Sequence, residues 1–221
     1  MELHFILVEP AVPENVGSAA RAMKAMGFRN MRVVNSQNHL SDKAMWQAHG
    51  STDVLEEVEV FDTVEAAVKD MDFVVATSAK RVRKAKAKMH SADGVLLMLK
   101  DKKHSAENIG LVFGSEENGL TEDDLKLCDV VSSIPLYTQY PSINLSQAVM
   151  IYAYVFSPLV ITSKAKEVAK TGGKYPELKE KVERLIASQP FTEKQVQWLW
   201  NKLPTLNDTD ISMLLEMFGG E

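Results

Sequence analysis

Two textures alternate along most of this chain. Short continuous apolar runs predict buried strands, and stretches with apolar residues every third or fourth position predict amphipathic helices. Residues 3–8 (LHFILV), 31–35 (MRVVN), 72–78 (DFVVATS), 108–114 (NIGLVFG) and 130–136 (VVSSIPL) read as strands, the last stopped by Pro135. Residues 13–27 place Val16, Ala19, Ala20 and Met23 on one helical face. Residues 65–71, 95–100 and 121–128 also read as helical, Thr121 with Asp124 forming a capping pattern. Residues 54–61 alternate weakly, and 144–156 form a long apolar helix. Repeated strand–helix units with buried strands predict an α/β fold: a mostly parallel sheet with helices on both faces.

The texture changes after Pro158. Residues 162–175 are polar, rich in lysine and contain Gly172-Gly173, which predicts a linker between a main domain (1–161) and a helical extension (176–221). The extension reads as helices over 176–188, 192–203 and 207–218, with Thr192 and Asp208 as N-caps. Trp198, Trp200, Leu203, Leu206, Leu214, Leu215 and Phe218 supply a core too small to stand alone, so docking on the main domain or a partner is expected.

The 221 residues suffice for one sizeable core and this appendage. The longest apolar stretch, about 149–161, is broken by Pro158 and reads as a buried helix rather than a membrane span. The apolar run at the start of the chain is too short for a signal peptide. The single cysteine, Cys128, excludes an intrachain disulfide and a cysteine-based metal cluster, so the cytoplasm and a metal-free site are expected. The net charge of −5 argues against a protein that coats nucleic acid. It hides an asymmetry: Lys80, Arg81, Arg83, Lys84, Lys86 and Lys88 fall in one run without acids, and the rest of the chain is near −11. That run reads either as an anion-binding patch or as a solvated loop.

In parallel α/β sheets ligands bind beyond the carboxyl ends of the strands. Four polar segments fall there: EPAVPENVG, TSAKR, GSEENGL and PLYTQYPSIN. Gly114 and Gly119 have P-loop spacing, but Leu120 and Thr121 stand where Lys and Ser/Thr are needed, and Glu116 and Glu117 would repel a triphosphate. A ligand with hydroxyls and a positive charge suits the loop, as S-adenosylmethionine would; an acidic surface turn is the competing reading. Asn15 and Gly17 lie at a helix start, where free N–H groups point outward. Arg21, opposite the apolar face, is placed to clamp an RNA phosphate, or is a plain surface arginine. Asn144 reads either as a site residue or as the N-cap of the long helix.

Taken together, VEPAVPENVGSAARAMKAMGF, LVFGSEENGLT and IPLYTQYPSINLSQAVMIYAY resemble the three motifs of SPOUT-class RNA 2′-O-ribose methyltransferases, most of all the TrmJ-like and LasT-type branch. The resemblance covers residues 3–160. It implies a C-terminal trefoil knot that binds S-adenosylmethionine, and a homodimer. The implied cofactor pocket is Thr77, Ser78, Ala79, Gly114, Glu116, Ile134, Leu136, Ser142, Ile143 and Asn144. The implied catalytic set is Asn15, Arg21, Glu116, Ser142 and Asn144. The basic residues Lys80, Arg81, Arg83, Lys84, Lys86 and Lys88 become an RNA-backbone arm. By analogy with TrmJ the substrate would be the ribose of a pyrimidine at position 32 of a tRNA anticodon loop. Ribosomal RNA, another tRNA position, and a non-catalytic RNA- or cofactor-binding protein are the alternatives.

Overall fold

In the computed structural model of the chain, residues 1–79, 89–137, 143–163 and 173–218 are described. Seven strands form one sheet: β1 (Glu2–Val8), β2 (Met31–Val34), β3 (Glu59–Phe61), β4 (Phe73–Thr77), β5 (Met89–Ser91), β6 (Asn108–Phe113) and β7 (Val130–Ser133). Their order is β3-β2-β1-β6-β4-β7-β5, and every pairing is parallel. The central strands are buried on both sides, as continuous apolar runs require, while the edge strands β3 and β5 are short and partly exposed.

One face of the sheet is covered by α1 (Pro13–Ala25), α2 (Asp42–Ala48), α3 (Thr52–Glu56), α5 (Ala92–Asp101), α7 (Leu145–Ser163), α8 (Lys174–Ser188) and α10 (Asp208–Phe218). The other face packs on α4 (Val64–Val68) and on the segment of α6 (Glu122–Lys126), through Ile6, Val34, Val74 and Val112. The remaining helix, α9 (Glu193–Lys202), buries no residue fully. The predicted architecture of a parallel sheet with helices on both faces is therefore present. The predicted knot depends on the path through residues 80–88 and 138–142, which lie outside the described residues.

Several local expectations need correcting. Residues 54–61 are not one strand: only Glu59–Phe61 pairs with β2, and the preceding turns form α3, which buries Val54 and Leu55. Strand β5 and helix α2 had no apolar run to betray them. Helix α2 buries Ala44 and Ala48 fully and Met45 partly, and leaves Trp46 exposed. Helix α7 passes through Pro158 and ends at Ser163, so the expected linker narrows to the residues before Lys174, of which 164–172 lie outside the described residues. The Asp208 side chain does not cap α10. The Asn207 side chain accepts from the Asp210 N–H (2.9 Å), and Asp208 instead accepts from the His104 N–H (2.9 Å) and the Ser105 hydroxyl. Trp198 is 62% exposed and stands outside the expected extension core. The predicted Thr121–Asp124 capping box and the Thr192 cap are both formed.

The C-terminal helices dock on the sheet through Tyr175, Leu178, Val182 and Ile211. Lys102, fully buried, lies 5.6 Å from the Phe73 ring centroid and 5.1 Å from that of Tyr175, and its ammonium donates to the Leu206 carbonyl.

Candidate active site

The strand register brings the four polar segments to one rim. Leu7 pairs with Phe113, Ala76 with both Val112 and Val131, and Thr77 with Ser132. The chain therefore leaves β1, β6, β4 and β7 at neighbouring points, at Glu9, Gly114, Ser78 and Ile134.

At this rim a directed chain of hydrogen bonds joins the three motif segments. The Glu116 carboxylate accepts from the Ala11 N–H (2.9 Å) and from the Asn15 side-chain amide (2.7 Å). The Asn15 carbonyl oxygen accepts from the Asn144 amide (2.7 Å). The Asn144 carbonyl oxygen accepts from the Ser146 N–H (2.9 Å) and hydroxyl (2.7 Å). Both ends fix the direction, since an ionised carboxylate only accepts and a helix N-terminal N–H only donates. Burial pushes the Glu116 carboxyl up, but the Asn15 amide and the N–H groups of Ala11, Glu116 and Val12 outweigh it and hold the group below the usual carboxylate range. Glu116 is thus an ionised anchor committed to protein donors, as its assignment to shaping the site requires. Glu117 is exposed.

Asn144 caps α7 through Ser146, as its capping reading expects, and also holds Asn15. Ser146 and the Ala11 N–H were not anticipated. The signal for Ser146 was present in Asn144-Leu145-Ser146, where an Asn side chain reaches the N–H two residues on.

Gly114 sits where the loop folds back on itself. A Cβ there would stand 2.1 Å from the Gly119 carbonyl carbon and 2.4 Å from the Leu120 nitrogen, and Gly119 has φ +70°. The Thr77 hydroxyl donates to the Val112 carbonyl (3.0 Å) and the Ser78 N–H to the Ser132 carbonyl (2.9 Å), so both tie the ends of adjacent strands. Ile134 and Leu136 are half-buried on the segment leaving β7, and Ala79 is exposed beyond β4. Ser142 and the basic residues Lys80, Arg81, Arg83, Lys84, Lys86 and Lys88 lie outside the described residues.

Gly17 has a packing role rather than one at an open helix terminus: a Cβ would stand 2.1 Å from the Ala44 carbonyl oxygen, so α1 and α2 touch there. The opposite flank of α1 is open. Arg21 is exposed, and its guanidinium has no partner among the described residues. It lines a groove of about 580 Å³ between α1 and α7 together with Ser18, Ile143, Ser146, Gln147 and Met150. Ser146 belongs to both groove and relay, which places Arg21 beside the rim without direct contact to it. Among the described residues no group of three or more His, Cys, Asp or Glu is placed to hold a metal ion.

Comparison with known proteins places this geometry in a class. The sequence profile of the SpoU rRNA methylase family matches residues 2–154. The uncharacterized tRNA/rRNA methyltransferase LasT of Escherichia coli K12 is 38% identical over 219 residues, covering 97% of this chain and 94% of its own. The tRNA (cytidine-2′-O-)-methyltransferase TrmJ of Methanocaldococcus jannaschii is 35% identical over 155 residues, covering 67% of this chain and 64% of its own. The crystal structure of TrmJ from Z. mobilis superposes with a TM-score of 0.65 at 26% identity, over 99% of this chain and 98% of that one. The chain therefore belongs to the SpoU rRNA methylase family, whose members are S-adenosylmethionine-dependent RNA methyltransferases.

Proposed function

We propose that this protein transfers a methyl group from S-adenosylmethionine to a ribose 2′-hydroxyl of RNA, the target being a pyrimidine at position 32 of a tRNA anticodon loop. The observation that carries the reading is the Glu116–Asn15–Asn144 relay, which joins all three motif segments at the carboxyl ends of β1 and β6 and the start of α7. The donor set fits the cofactor. Among the described residues the rim offers small residues, backbone groups and an occupied carboxylate, and no lysine of a phosphate cradle. Thr77, Ser78, Ala79, Gly114, Ile134, Leu136, Ser142, Ile143 and Asn144 would hold it, with Glu116 shaping the loop. When bound, S-adenosylmethionine supplies an activated methyl on a sulfonium.

The protein's own part is positioning and electrostatics. Arg21 anchors a substrate phosphate and stabilises the negative charge that develops on the 2′-oxygen. A guanidinium is a poor proton acceptor, so general-base catalysis by Arg21 is the weaker assignment. That its guanidinium has no partner among the described residues supports this use.

The apolar part of the groove, with Ala22, Ala25, Ile143 and Met150, and Tyr154 exposed beside it, supports a homodimer packed through α1 and α7. The family likeness supports the knot, and the charge run supports Lys80, Arg81, Arg83, Lys84, Lys86 and Lys88 as the RNA-backbone arm. Residues 1–161 would form the catalytic domain, with 176–221 as its helical extension. The chain has no helix long and apolar enough to cross a membrane among the described residues, and a cytoplasmic enzyme is proposed.

The near full-length likeness to a protein named as a tRNA/rRNA methyltransferase favours a second reading, the same chemistry on ribosomal RNA. The test is transfer of labelled methyl from S-adenosylmethionine to total tRNA and separately to ribosomal RNA, followed by mapping of the 2′-O-methyl. Label at tRNA position 32 is expected. Label only in ribosomal RNA moves the substrate, and no label in either contradicts the reading.

A further inference from the structure

The turn from β1 into α1 is a strap. Of residues 9–11 only Pro10 is buried, and the strap is placed by polar contacts on both flanks. On one flank the Ala11 N–H reaches Glu116 (2.9 Å). On the other, the Asn38 side-chain amide donates to the carbonyls of Pro10 (2.7 Å) and Ala11 (3.3 Å), and the Ser36 hydroxyl donates to the Pro10 carbonyl (3.4 Å). The Asn38 N–H donates to the Ser36 hydroxyl (3.2 Å), which holds the clamp together.

Below this clamp the strand ends are set in an uncommon conformation. Glu9 has φ 47° and Asn35 φ 51°, the left-handed region that non-glycine residues rarely adopt. The two are tied by the Asn35 amide donating to the Glu9 carboxylate (2.8 Å). Their N–H groups continue onto neighbouring strands, Glu9 to the Val34 carbonyl and Asn35 to the Phe61 carbonyl, both at 2.9 Å. Such outliers persist where surrounding contacts over-determine them, and they cluster at functional sites. Here one outlier, Glu9, is the first residue of the strap and the other, Asn35, is tied to it, and the strap carries Ala11, one of the groups that donate to Glu116.

We propose that Asn38 is a positioning residue for methyl transfer. By clamping the Pro10 and Ala11 carbonyls it aims the Ala11 N–H at Glu116, which in turn orients Asn15 and Asn144. Asn38 touches none of these three side chains and acts through the strap; Asn35 and Glu9 set the strap's starting direction. The inference rests on the reading of the relay as the transfer site.

The test uses Asn38→Asp, which keeps the side chain's size and removes its donor, with Asn38→Ala as a second variant and thermal melting as the check on folding. Hydrogen exchange of the Ala11 N–H, followed by NMR, needs no substrate and is expected to speed up at least about tenfold in both variants. In steady-state transfer to RNA, kcat is expected to fall about tenfold with KM for RNA nearly unchanged. Added to Glu116→Ala, the Asn38 change is expected to cause no further loss, because both act through one contact. Unchanged Ala11 exchange, or a full additional loss in the double variant, overturns the proposal. If the wild-type chain transfers no methyl to any RNA, the reading of function fails separately, and Ala11 exchange still decides whether Asn38 holds the strap.

Discussion

The two ends of the parallel sheet are built on opposite plans. The carboxyl end is open and made of short polar side chains: Glu116, Asn15, Asn144 and Ser146 satisfy one another in a line, and Arg21 stands beside a groove with no partner among the described residues. The amino end is closed. There Asp72 accepts from the Glu107 (2.6 Å) and Asn108 (2.9 Å) N–H groups, Asp129 holds Lys179 (2.7 Å), and Lys102 is sealed under Phe73, Tyr175 and the C-terminal helices. A parallel sheet directs loops of both kinds outward; here the carboxyl-end loops join their polar side chains to one another, while the amino-end loops tie Asp72, Asp129 and Lys102 to backbone and to the C-terminal helices. The difference teaches where charge is used: at one end a cation stands exposed beside a groove, at the other a cation is consumed in joining two parts of the chain.

The comparison breaks most sharply at Gly114. In Gly114→Ala the added carbon meets backbone at 2.1 and 2.4 Å, which no side-chain rotation relieves, so the loop must reshape. Affinity for S-adenosylmethionine, measured by calorimetry, is expected to drop at least about 100-fold with melting nearly unchanged, because the amino end is untouched. Unaltered affinity would detach this loop from the cofactor site.

A smaller effect sharpens the other end. Burial pushes the Lys102 ammonium down to about 8, against the pull of Asp208, Asp101, Asp129 and Asp210. In the unfolded chain the same lysine keeps its proton up to about 10.5. Between these values the unfolded state binds more protons, so this lysine's contribution makes stability rise with pH. Above about pH 10 the buried Tyr175 and Tyr152 oppose the trend, since burial raises both phenols and the unfolded state ionises first. From pH 8 to 9.5 the wild-type chain should gain roughly 2 kcal/mol relative to Lys102→Met, read as a difference in denaturation midpoints. Parallel curves for the two proteins would mean that burial does not lower the proton affinity of Lys102.

Legibility in the sequence follows the same division. The strands were readable because continuous apolar runs mark buried parallel strands, and the Glu116–Asn15–Asn144 grouping because these polar residues fall in loops or in the first turn of a helix at the carboxyl ends of the strands. Asn38 was not readable: its partners are the Pro10 and Ala11 carbonyls, and a backbone acceptor leaves no mark on the sequence. Helix α2 was missed because its fully buried positions are two alanines, of which Ala44 approaches Gly17 closely, with Met45 only partly buried, so no strong apolar stripe marks it. Lys102 sits in Asp101-Lys102-Lys103-His104, which has every appearance of a surface run; only the fold shows that one of its lysines is buried. Pro158 misled in the other direction, since α7 continues through it.

The central claim, that Arg21 beside the Glu116–Asn15–Asn144 relay drives the transfer, is tested most directly by single-turnover methyl transfer in Arg21→Ala with cofactor affinity measured on the same preparation. The account predicts an affinity for S-adenosylmethionine within about twofold of wild type and transfer slower by about 100-fold or more, with Arg21→Lys recovering little because a single ammonium cannot replace the two-pronged guanidinium. Transfer at the wild-type rate in Arg21→Ala would contradict it.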